Sequence, residues 1–124
     1  MRSLILLLAL AAAPAVAQEE GPYSQTCSYQ DTSEPDEDAA YEVDCTMRYV
    51  SIPTGLRYTF RFGGRSVVVD VSSESANGLW HGARINGRPA IRLELWRGSY
   101  VAVTTDMRIS LEWRDRGEPK YPAN

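Results

Sequence analysis

The chain has 124 residues, 44% hydrophobic, with 13 Lys and Arg against 16 Asp and Glu and a formal charge of −3. That is enough for one domain with one core and no second domain. Mild acidity and the absence of a Lys-rich run argue against a nucleic-acid partner.

Residues 1–17, MRSLILLLALAAAPAVA, read as a secretory signal. Arg2 is a basic n-region, Leu4 to Ala13 an unbroken apolar run, and Ala15-Val16-Ala17 a small-x-small cleavage site. The apolar run falls far short of the roughly 20 residues needed to span a bilayer, so no membrane span is expected. Gln18, not a cysteine, stands directly after the cleavage site, which argues against a lipid anchor. The mature chain is expected to begin at Gln18 and to reside in the periplasm.

The charge is unevenly spread. Residues 18–47 carry nine acids and no Lys or Arg, whereas residues 48–124 carry seven acids against twelve Lys and Arg. Such a split points to internal complementarity, to a solvated acidic loop, or to an acidic face that steers a cationic partner. Cys27 and Cys45 are the only cysteines. In an oxidising compartment they are expected to pair, contributing about 3 kcal/mol by constraining the unfolded chain. Residues 18–40 read as an acidic N-terminal segment, with QDTSEPDEDAA (30–40) a loop inside the disulfide ring. Asp31, Asp36 and Asp38 lack the glycine and spacing of a calcium loop. One histidine and two cysteines make a poor zinc set, and no metal or cofactor is expected.

From Tyr41 to Arg114 a two-residue period dominates, and this span is expected to form the barrel core. Tyr41, Val43, Cys45, Met47 and Tyr49 alternate with Glu42, Asp44, Thr46 and Arg48, as in a half-buried strand. Pro53-Thr54-Gly55 breaks the chain, and Leu56, Tyr58, Phe60 and Phe62 define a second strand. Gly63-Gly64 is a two-residue hairpin turn leading into Arg65–Ser73. Leu79–Ile85 is a further strand, and Asn86-Gly87 is the strongest hairpin signal. Beyond it Ile91, Leu93 and Leu95 are expected to face in, with Arg92, Glu94 and Trp96 facing out. Arg97-Gly98 turns the chain into YVAVTT, and Met107, Ile109, Leu111 and Trp113 form the last strand. Residues 115–124 are a polar tail. Seven or eight short strands with regular turns predict an all-β antiparallel meander, a small barrel of about eight strands or a sandwich, with one disulfide. The expected core is Tyr41, Val43, Met47, Leu56, Tyr58, Phe60, Val67, Val69, Ile91, Leu93, Leu95, Ile109, Leu111 and Trp113.

Catalytic signatures are weak. His81 is the sole imidazole, with Asp70, Ser72, Ser73 and Ser75 near it in sequence, but no G-x-S-x-G elbow is present. Recognition is better supported, because Trp80 lies beside His81 and Trp96 lies beside Arg97 at a turn, and Trp and Arg dominate binding hot spots. The segments SANG (Ser75–Gly78) and ELWRGSYVAV (Glu94–Val103) resemble the periplasmic and membrane-bound inhibitors of c-type lysozyme in Gram-negative bacteria. The resemblance implies an eight-stranded barrel whose two loops enter the lysozyme cleft and engage its acidic residues. By register Asn77 stands at the first loop's serine, His81 at its aromatic, and Arg97 one residue early at the second segment's lysine. That family ties its first strand to the chain's end by a disulfide, whereas Cys27 and Cys45 are both N-terminal. The implied partner is a lysozyme-type muramidase of a host or of the bacterium itself, contacted through Ser75, Asn77, Trp80, Trp96 and Arg97. No catalysis is implied, and the protein is expected to be a monomer or weak dimer. The alternative from the residues alone is a small non-enzymatic envelope module that binds a glycan or lipid in the barrel mouth.

Overall fold

The computed structural model describes residues 18–75, 80–96 and 98–115. Residues 1–17, 76–79, 97 and 116–124 lie outside the described residues. Eight strands follow in chain order: β1 (Glu20–Asp31), β2 (Ala40–Ile52), β3 (Gly55–Phe62), β4 (Arg65–Ser75), β5 (Trp80–Ile85), β6 (Arg88–Trp96), β7 (Ser99–Thr104) and β8 (Ile109–Asp115). They form a closed antiparallel barrel in which each strand neighbours the next and β8 returns to β1. Closure leaves no strand edge unpaired, which settles barrel over sandwich.

The turn chemistry acts where the sequence places it. Gly63 and Gly64 take φ of 52° and 75°, and Asn86 and Gly87 take 49° and 83°, the positive pairs that match the twist of flanking strands. Asn86 adds a side-chain contact, accepting a hydrogen bond from the Val68 amide at 2.9 Å.

Barrel closure recruits a strand that charge alone would assign to a separate segment. β1 pairs with β2, and with β8 from Gln25 opposite Asp115 to Asp31 opposite Ile109. The barrel therefore begins at Glu20 and not at Tyr41. Cys27 and Cys45 are disulfide-bonded, link β1 to β2, and are both buried. Tyr29 joins the core beside Phe62, their ring centres 5.8 Å apart.

Phe60, Val67, Val69, Ile109, Leu111 and Trp113 are buried as the alternation predicts, together with Val71, Ile85, Ala90 and Ala102. Val43, Met47 and Tyr58 pack against this core. Two parts of the expected core are corrected. Tyr41 is 67% exposed. A bulge lies between the pairs Cys27–Val43 and Tyr29–Ala40, Glu42 takes φ 48°, and Ala40 packs inward instead. On β6 the parity is inverted. The Asn86-Gly87 turn sets Ile85 opposite Arg88, hence Ala83 opposite Ala90 and His81 opposite Arg92. Ala90 is buried, and Arg92 pairs with the fully buried Ala102. Ile91, Leu93 and Leu95 thus lie on the outer wall, where Ile91 and Leu93 oppose Val103 and Val101. Large rings from β3, β7 and β8 fill the interior, leaving room for alanines from β6 and β7. A one-residue phase change then turns a whole apolar set outward.

Candidate functional site

Alternate connections of a meander emerge at opposite ends of its barrel. One end carries the β1–β2 loop and the turns β3–β4, β5–β6 and β7–β8. It is stoppered: Arg65 lies 4.6 Å from the Tyr29 ring centre and its Nη2 is 3.2 Å from a Glu34 oxygen. Asp31 there accepts from the Ser33 amide and hydroxyl, and Asp106 from the Thr104 hydroxyl and the Arg108 amide. These bonds hold both carboxyls below their usual range.

The other end carries the connections β2–β3, β4–β5 and β6–β7, and it opens into a cavity of about 340 Å³. Its walls include Met47 and Tyr49 of β2, Leu56 and Tyr58 of β3, Tyr100 of β7 and Trp113 of β8. Trp113 is the hub, with ring centres 4.8 Å from Phe60, 5.6 Å from Tyr100 and 6.0 Å from Tyr58. Gln25 and Asp115 supply polar groups at the mouth, where Gln25 Nε2 donates to Asp115 Oδ1 at 2.9 Å. Arg92 supplies the cation, with its guanidinium 4.9 Å from the Tyr100 ring centre.

Simple alternation along β6 puts Arg92 outside, whereas the barrel holds it on the inner face. Its signal was present, because a two-residue Asn-Gly turn fixes the register from Ile85 onward, and Arg92 then shares a face with Ala90. Burial raises the Tyr58 hydroxyl above its ordinary value, with Arg92 opposing. The raised value favours the folded state fully below about pH 10 and progressively less as alkali ionises Tyr58. Ultraviolet titration is expected to show a tyrosine ionising above pH 10, and Arg92→Gln is expected to move it higher still. A set of tyrosines all titrating at the ordinary value would contradict this.

The five residues expected at the contact are distributed as follows. Ser75 ends β4 opposite His81, Trp80 opens β5 opposite Leu93, and Trp96 ends β6 opposite Ser99, past a bulge, and is half-buried. Asn77 and Arg97 lie outside the described residues, and Ser75 and Trp80 are described by their backbone alone. β4 and β6 run in the same direction, so the two strands end, at Ser75 and Trp96, at the same open end of the barrel. Next to that end, Leu93, Leu95, Ile91, Val101 and Val103 make the outer wall of β6 and β7 apolar.

His81 is half-buried with Nδ1 3.2 Å from the Ser72 carbonyl, a contact that needs the proton on Nδ1 and ties β5 to the irregular end of β4. The acidic loop 32–39 lies at the stoppered end. Among the described residues, ion pairs join the acidic half to the basic one, including Arg48–Glu19 at 3.5 Å, Arg65–Glu34 at 3.2 Å and Arg114–Glu42 at 3.3 Å. Internal complementarity therefore absorbs part of the charge split. Among the described residues no group of His, Cys, Asp and Glu is disposed to hold a metal ion, and no helix is long and apolar enough to cross a membrane.

No protein-family model matches this chain, and neither a characterised protein nor a solved structure matches it.

Proposed function

We propose that this protein is an exported, non-catalytic binding protein that inhibits a lysozyme-type peptidoglycan hydrolase through the open end of its barrel. The observation that supports the reading is that β4 and β6, the strands leading into SANG and ending in ELW, finish at one end of a closed eight-stranded barrel, beside an apolar outer wall. A contiguous apolar surface next to Trp and Arg marks a protein-binding face. A muramidase cleft holds the carboxylates that act as acid and as nucleophile or base. A guanidinium delivered there by Arg97 pairs with a carboxylate in bidentate geometry, with the Asn77 amide as a neighbouring hydrogen-bond partner. Leu93 and Leu95 would bury against the cleft's flank.

The acidic loop has no part in this contact. An eight-residue strand such as β3 is about 26 Å long, so even when tilted the barrel separates its ends by about two Debye lengths at 0.1 M salt. Asp36→Asn with Asp38→Asn is therefore expected to leave the association rate nearly unchanged.

The test is a cell-wall clearing assay with purified mature protein against c-type, g-type and endogenous bacterial muramidases. One class should be inhibited stoichiometrically. Arg97→Ala should weaken that inhibition about 30-fold, equivalent to about 2 kcal/mol. Leu93→Asp should abolish it while leaving the β-rich circular dichroism spectrum intact. Lack of inhibition and of binding to any of the panel at tens of micromolar protein would sink the reading.

A further inference from the structure

We infer that the open mouth of the barrel is a binding site for a small sugar acid, with Arg92 as the anchor for its carboxylate. This site is separate from the hydrolase contact and does not rest on it.

Arg92 is out of place in an apolar barrel interior. It sits on the inner face of β6, between the buried Ala90 and the mouth, and opposite the fully buried Ala102. Its Nε is buried and has no hydrogen-bond partner. No ion pair joins it to a carboxylate among the described residues. The Tyr100 ring at 4.9 Å offsets part of the desolvation but offers no acceptor. A buried donor without an acceptor, such as this Nε–H, is costly and seldom left inside a barrel. A residue that breaks a packing rule without local compensation is characteristic of a ligand site.

The surroundings define the ligand. The cavity, about 340 Å³, is at the small end of ligand sites and suits one ring-sized body. Tyr49, Tyr58 and Tyr100 offer aromatic faces to that body. Arg92 selects a planar carboxylate, which its fork can bind in bidentate fashion. Asp115 points to hydroxyl groups, because Gln25 occupies one of its oxygens and the other can accept from a donor. The Asp115 charge also disfavours a doubly charged phosphate. One carboxylate, several hydroxyls and a ring with an apolar face together describe a monosaccharide acid.

The experiment is a nitrogen–proton NMR titration of the full mature chain with glucuronic acid and with N-acetylmuramic acid. N-acetylglucosamine serves as the neutral control and decanoate as the aliphatic carboxylate. The Arg92 Nε–H and Trp113 indole signals are expected to shift and saturate with a dissociation constant of about 1 mM or tighter for at least one sugar acid. Arg92→Leu should lose the response at least tenfold, and Arg92→Lys should keep part of it. Arg92→Leu is also expected to melt no lower than wild type, since it removes a buried donor that has no acceptor. The site assignment fails if no sugar acid shifts these signals, if the neutral sugar shifts them equally, or if only decanoate binds. It fails as well if Arg92→Leu melts well below wild type with its titration unchanged, which would make Arg92 purely structural.

Discussion

Phe60→Ala is expected to destabilise the protein by about 3–5 kcal/mol. Phe60 is fully buried, and its ring centre lies 4.8 Å from Trp113 and 6.2 Å from Tyr58. It opposes Met47 on β2 and Val67 on β4, so its loss opens a void reaching three strands. The neighbouring rings are held by backbone hydrogen bonds on different strands and can close that void only in part, so the cavity term adds to the transfer term. A domain of this size has a total stability of about 5–15 kcal/mol, so the loss is a large fraction of the whole. Chemical denaturation should show the midpoint falling with little change in slope. An unchanged midpoint would mean that Phe60 does not occupy the barrel centre.

Removing the disulfide by the double substitution Cys27→Ala with Cys45→Ala is expected to cost about 3 kcal/mol. The two cysteines are 18 residues apart in sequence, and a loop of that order contributes about this much by restricting the unfolded chain. The bond has a second role here. β1 closes the barrel by pairing with both β2 and β8, and the disulfide tethers β1 to β2. Its loss should therefore favour detachment of β1, with amide exchange rising first along Glu20–Asp31 and along β8. Both cysteines are buried, so reductant should act on the native protein slowly and on the denatured protein quickly. A double variant with wild-type midpoint and wild-type exchange along β1 would refute this account.

Much of the fold was legible from local chemistry. Gly63-Gly64 and Asn86-Gly87 dictate hairpin turns because their backbones tolerate positive φ, whatever surrounds them. The alternation of Leu56, Tyr58, Phe60 and Phe62, and of Ile109, Leu111 and Trp113, gives the right inward face. In both strands one face is plainly apolar and the other plainly polar. The pairing of Cys27 with Cys45 is expected from their number alone in any oxidising compartment.

Alternation determines that a strand has two faces, but it does not determine which one the barrel interior can accommodate. On β6 the aliphatic face Ile91, Leu93 and Leu95 loses the interior to Ala90 and Arg92. Rings from β3, β7 and β8 already fill that level, and the register inherited from Ile85 leaves no freedom to slip. At Tyr41 a bulge, invisible in composition, shifts the phase of β2. The acidic segment conceals β1, because its polar side chains belong to an outer wall that exists only once β8 arrives from the far end of the chain. The candidate site divides in the same way. SANG and ELWRG can be read from the sequence alone. The common barrel end at which β4 and β6 finish, the stopper of Arg65, Tyr29 and Glu34 at the other end, and the Arg92 Nε buried without an acceptor among aromatic rings arise from pairings between residues distant in sequence, and those only the closed barrel decides.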